Sequence, residues 1–185
     1  MMASVEDRVV FAQSVEALWK SCGPDPTPEV VRAFLDSGFD VRRKLKVAYP
    51  AEQYSTLMAA LAQARFPEAG PDERFLLLGR AFMEGYQQTM MGRALMKLLA
   101  VLGPRRVLMQ TTRSFRSGNN YARAEVKELE PRHFQMVVSP VNHPGWHVGI
   151  VTAGLQHAGA KNVQMDLASR QGDEATFDIR WEGRA

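Results

Sequence analysis

Only one cysteine, Cys22, occurs in the 185 residues, so no intrachain disulfide can hold the fold and a reducing compartment is expected. The N-terminus lacks the charged start, apolar run and small-residue cleavage site of a secretory leader, which points to a cytoplasmic protein. Long apolar runs are also missing. A membrane helix needs about 18 to 20 consecutive apolar residues, yet the most apolar region, Phe75 to Leu102, is interrupted by Arg80, Glu84, Arg93 and Lys97. Charge of one sign is not in excess: 23 basic and 20 acidic residues are interspersed, and a net charge of +3 supports no nucleic-acid partner.

Catalytic fingerprints are absent as well. There is no G-x-S-x-G, no phosphate-binding loop and no dinucleotide motif after a predicted strand. His143 and His147 are four apart, but Pro144 lies between them and no H-E-x-x-H pattern exists, so no zinc site is expected. No catalytic residue is assigned, and a non-enzymatic protein is expected.

What the chain does contain is a change of periodicity. One domain over residues 1–185 is expected, mainly helical from about 9 to 116 and a ββαββ unit from about 119 to 182. Val9 to Phe11 suggest a short extended piece, followed by a brief helix carrying Val15, Leu18 and Trp19. Thr27-Pro28-Glu29 opens a second helix, and a third runs from about residue 51 to Arg65 with Tyr54, Leu57, Met58 and Leu61 on one side. The longest helical pattern spans Asp72 to Leu102, with Phe75, Leu78, Phe82, Tyr86 and Met90 in one stripe. Gly79, Gly85 and Gly92 interrupt it, each unfavourable by about 1 kcal/mol against alanine. Either Gly85 and Gly92 share a face open to another backbone or a flat ligand, or the helix breaks near Gly92.

After a further helix from Pro104 to about Phe115 the pattern alternates. Ala122, Ala124 and Val126, then Phe134, Met136 and Val138, then Val163, Met165 and Leu167, then Ala175, Phe177, Ile179 and Trp181 form four inward sets. Between the two hairpins lies a helix from Pro144 to Ala158. The fold class is therefore α+β, with a helical N-terminal part packed on a four-stranded antiparallel sheet of ββαββ order.

At Leu78-Gly79-Arg80, Glu84-Gly85-Tyr86, Gly92, Leu102 to Arg106, Gly118 to Tyr121 and Gly149 to Ala160, the chain resembles a myxobacterial paralogous family of unknown function, over about Val10 to Trp181. The order of elements also resembles, more distantly, the fold superfamily of the vinyl-reductase domain, the haem nitric-oxide-binding domain and the TRAPP core subunits. That resemblance implies a small-molecule pocket between helices and sheet, or a dimer surface.

Two groups of residues are candidate sites. On the wheel of the helix from Pro144, His147 sits at the centre of the apolar arc. It reads either as a ligand-binding or haem-ligating group or as a buried histidine satisfied by a carbonyl. With Phe82, Tyr86, Met90 and Trp146 it forms a candidate apolar pocket for haem or another hydrophobic ligand. Arg113, Arg116, Asn119 and Asn120 form a candidate anion site, set against a solvated helix face followed by an asparagine turn. The expected function is a small-molecule-binding or sensor-type module. The alternative is a homodimeric interaction or assembly module without ligand, in which Met83, Met90, Met91 and Met96 serve packing.

Overall fold

The computed structural model describes residues 7–183. Strand β1 (Val9–Phe11) pairs antiparallel with β2 (Ala48–Pro50), and helix α1 (Ala12–Lys20) follows β1 directly. Helices α2 (Pro28–Asp36), α3 (Ala51–Arg65), α4 (Pro71–Gln88), α5 (Met90–Leu102), α6 (Pro104–Met109) and α7 (Thr111–Gly118) complete the helical part. Pro28, Pro71 and Pro104 each occupy the first turn of a helix, where the missing N–H has no intrahelical partner to lose. Thr27 holds the N-cap position of α2 as expected but makes no side-chain capping bond.

Strands β3 (Arg123–Glu130) and β4 (His133–Ser139), helix α8 (Pro144–His157), and strands β5 (Ala160–Gln171) and β6 (Glu174–Gly183) form the ββαββ unit. The four-stranded antiparallel sheet has order β3-β4-β6-β5, so β4 and β6 are central. Phe134, Met136, Val138, Ala175, Phe177 and Ile179 are fully buried and Trp181 nearly so, all facing the helical cover. On β5 the alternation fails. Met165 is buried, but Leu167 is 46% exposed, because β5 is an edge strand with register shifts at Lys161/Gln164 and Leu167/Ser169.

The long helical pattern is two helices. Thr89 takes extended backbone between α4 and α5, with its Oγ1 donating to the Tyr86 carbonyl (2.8 Å) and accepting from the Gly92 N–H (2.9 Å). Gly92 serves this break: a Cβ there would lie 1.7 Å from the Tyr86 oxygen. Gly85 faces elsewhere, against the Ala17 carbonyl of α1, so the two glycines share no ligand-facing surface. The helix expected from Pro104 likewise splits at Gln110 into α6 and α7.

Helix α8 lies between the sheet and α4. It is apolar nearly all round, as a helix covered on two faces must be. Val151 and Leu155 join the sheet core, while Gly145 and Gly149 meet α4. A Cβ at Gly145 would lie 2.2 Å from the Asp72 carbonyl oxygen, one at Gly149 2.3 Å from that of Leu76, and one at Gly79 2.6 Å from that of Trp146. Contacts advance along both helices in the same direction, ending with Gly154 near Met83, so α4 and α8 run parallel. At Gly154 the fit is loose: the nearest atom to a Cβ is Met83 Cε at 3.8 Å.

These distances predict opposite outcomes for two alanine substitutions on one helix. Gly149→Ala must push backbones apart and should lower stability by about 3 kcal/mol. Gly154→Ala should raise it by about 0.5–1 kcal/mol through helix propensity. Urea unfolding of both variants checks this, and equal effects would refute a backbone contact confined to the first half of α8.

Candidate functional site

Three apolar clusters meet without closing on one another. The first contains Val10, Tyr54 and Met58, with Phe82, Tyr121 and Trp146 at its edge. The second is the sheet cluster with Leu108, Val151 and Leu155, and the third contains Tyr86, Met96 and Leu99. Between them lies a cavity of about 690 Å³, walled by residues from all three clusters. This is within the size range of small-molecule sites.

Of the pocket residues expected from sequence, Phe82, Tyr86, Trp146 and His147 line this cavity. Phe82 packs on Trp146 (ring centroids 5.0 Å apart) and on Tyr86 (5.7 Å). Met90 does not belong to it. It follows the Thr89 break, which turns it outward to 77% exposure, whereas a continuous helix would have kept it on the Phe82–Tyr86 stripe.

His147 is 8% exposed, with its ring 5.6 Å from Phe115 and 6.4 Å from Phe177. Its Nδ1 is buried with no hydrogen-bond partner, so no backbone carbonyl satisfies that nitrogen. Burial first, and His143 second, push its pKa down to about 4, and the imidazole is neutral at pH 7. His143 occupies the N-cap position of α8 and stacks on Phe75 at 3.5 Å.

Two further buried polar atoms lack hydrogen-bond partners among the described residues, and both belong to residues lining the same cavity: Tyr54 Oη and Arg8 Nε. Tyr54 is 6% exposed, and burial holds its phenol well above the usual range, so it is protonated. The Arg8 guanidinium lies over the Tyr121 ring at 5.8 Å. Sequence reasoning missed both residues. Tyr54 was legible as the one hydroxyl on the apolar side of α3; nothing in the sequence marks Arg8.

The expected anion site does not assemble. Asn119 Oδ1 accepts from the N–H groups of Tyr121 (3.1 Å) and Ala122 (2.7 Å). Asn120 Oδ1 accepts from Val9 N–H, and its Nδ2 donates to the Asp7 carbonyl, both at 2.9 Å. These amides stitch the turn and hold it to β1. Arg113 and Arg116 are exposed on α7, and Arg105 is paired with Glu128. Among the described residues, no group of three or more His, Cys, Asp or Glu side chains could hold a metal ion, and no helix is long and apolar enough to cross a membrane.

A family model described as protein of unknown function (DUF2378) matches residues 8–182. The chain belongs to that family. No curated protein matches it in sequence. Its fold is that of H-NOX domains. A structure described as giving insights into the molecular mechanism of H-NOX activation aligns with TM-score 0.70 at 11% identity, covering 92% of this chain and 96% of that one. An oxygen-binding H-NOX domain related to soluble guanylate cyclases gives TM-score 0.62 at 10% identity, covering 91% and 93%. A structure that probes the function of heme distortion in the H-NOX family gives 0.63 at 12%, covering 93% and 95%. At such identity the likeness is one of fold.

Haem is the group that this fold brings into question. The cavity supplies one neutral imidazole, His147, but its ring is flanked by the Phe115 and Phe177 rings. Two propionates would meet one arginine or lysine, Arg8, among the described lining residues, and Glu52 lines the cavity too. The residues present do not fit a dianionic macrocycle.

Histidine burial sets a pH prediction. The folded pKa of His147 lies below the ordinary 6.5, so in acid the unfolded chain takes up a proton that the folded one refuses. The full contribution to stability is present above about pH 6.5, and about 3 kcal/mol is lost as the pH falls to about 4. Urea titrations at both ends of this window should show a smaller acid loss in His147→Leu; an equal loss would assign the sensitivity to other groups.

Proposed function

We propose that this chain is a non-enzymatic small-molecule-binding module of sensor type, taking a largely apolar ligand into the cavity between helices and sheet. The observation that carries this reading is the coincidence of a 690 Å³ cavity with buried polar atoms of Arg8, Tyr54 and His147 that have no hydrogen-bond partner among the described residues. A buried unpaired donor or acceptor is unfavourable by about 1–3 kcal/mol, and a ligand that pairs with it removes that penalty. The H-NOX likeness supports the reading at the level of fold, as one of those domains is described as oxygen-binding. A non-enzymatic role is supported by Cys22, whose thiol is raised by burial and donates to the Leu18 carbonyl, which leaves it a poor nucleophile.

A second reading, self-association, rests on α5. Met90, Met91, Leu98 and Val101 are all at least half exposed there, an apolar surface of the kind that marks interaction sites. Light scattering that found monomer across a wide concentration range would dispose of the homodimer.

The direct test is native mass spectrometry with an absorption spectrum of freshly purified protein, expected to show a bound small molecule and no Soret band. Gly154→Leu sharpens it. A Cβ there meets nothing closer than 3.8 Å and Gly154 borders the cavity, so the leucine should occupy cavity space, and the variant is expected to fold while losing the ligand and at least tenfold in binding of a hydrophobic fluorescent probe. Unchanged probe binding in that variant would sink the proposal; a Soret band lost in His147→Ala would reinstate haem.

A further inference from the structure

We infer that the ligand carries a single anionic, hydrogen-bond-accepting head, such as a monocarboxylate, received by Arg8 and Tyr54, on an apolar body that fills the cavity. This rests on the binding reading above and names the ligand's chemistry. Arg8 and Tyr54 come from different elements, the residue preceding β1 and helix α3, yet both sit beside Tyr121: Arg8 over its ring, Tyr54 close enough for the two phenols to interact. Each keeps a buried polar atom without a protein partner. Both are donors, since guanidinium has no acceptor and a protonated buried phenol seeks one. Charge-assisted bonds from such a pair match a carboxylate.

The larger side chains of the lining favour an apolar body. Phe82, Met83, Leu99, Val107 and Leu155 are apolar walls that match an alkyl or isoprenoid body better than a sugar or nucleotide. Arg8 is the one arginine or lysine among the described lining residues and Glu52, also on the lining, is solvent-exposed, so a second negative charge on the ligand, as in a dicarboxylate, would have no cation to meet. Tyr54 distinguishes a binding role from a structural one: in the ligand-free protein its hydroxyl is an uncompensated buried group, so removing it should stabilise the fold while weakening the complex.

Calorimetric titration of the full chain with dodecanoate and with 1-dodecanol, at neutral pH, tests this. The expected result is that dodecanoate binds at least tenfold more tightly than the alcohol, a preference that Arg8→Met abolishes by weakening the acid far more than the alcohol. Tyr54→Phe should weaken dodecanoate by about tenfold and raise the Tm of the ligand-free protein by about 2–4 °C. Equal binding of acid and alcohol, indifferent to Arg8→Met, overturns the head-group assignment and leaves the cavity reading standing. Binding of neither, with no displacement of the hydrophobic probe, overturns both. Should Arg8→Met fail to fold, Arg8→Lys, which keeps the charge but removes Nε, is expected to lose about tenfold for the acid alone, and no loss counts against the assignment.

Discussion

The first half of α8 rides on the backbone of α4. With hypothetical Cβ atoms at Gly145 and Gly149 only 2.2 and 2.3 Å from α4 carbonyl oxygens, no side chain separates the helices there. The opposite face of the same helix must cover the sheet, which it does through Val151 and Leu155. At Gly154 the contact is looser, the nearest atom to a Cβ being Met83 Cε at 3.8 Å. The far end of α8 is fixed independently, by the His157 Nε2 contact to the Met96 carbonyl at 3.1 Å. Gly154 and Leu155, in the second half of α8, border the cavity.

Polar groups around that gap fall into two kinds. Asn119 and Asn120 spend their side chains on neighbouring backbone and hold the α7–β3 turn against β1. Thr89 does the same for the α4–α5 break. Arg8, Tyr54 and His147, which line the same cavity, each keep a buried atom without a hydrogen-bond partner among the described residues.

Much of this was readable in the sequence, and the failures have physical causes. The ββαββ unit was legible because one face of its sheet is covered and the other wet, which writes period two into β4 and β6. On β5 the edge position and register shifts expose Leu167, and alternation misleads. Strand β2 is three residues, Ala48–Pro50, held by pairing with β1, too short for periodicity to register. The break at Thr89 depends on one hydroxyl serving two backbone groups, a tertiary detail that moves Met90 out of the site. Phe82, Tyr86, Trp146 and His147 were legible as an inward set. Arg8 was not, since its importance comes from Tyr54 and Tyr121, which are distant in sequence.

Stability alone would not leave the cavity as it is. Gly154 lies in a helix interior where alanine fits without contact closer than 3.8 Å, and glycine there is worse by about 1 kcal/mol. Tyr54 keeps a buried hydroxyl that phenylalanine would dispense with, at a penalty of about 1–3 kcal/mol. The two concessions are chemically unrelated and sit on different helices, α8 and α3, yet both border the same space. Imperfect packing would scatter such concessions over the core. In the sheet core Phe134, Met136, Phe177 and Ile179 are fully buried. The meeting of the two concessions at one cavity agrees with the proposed binding of a small molecule there.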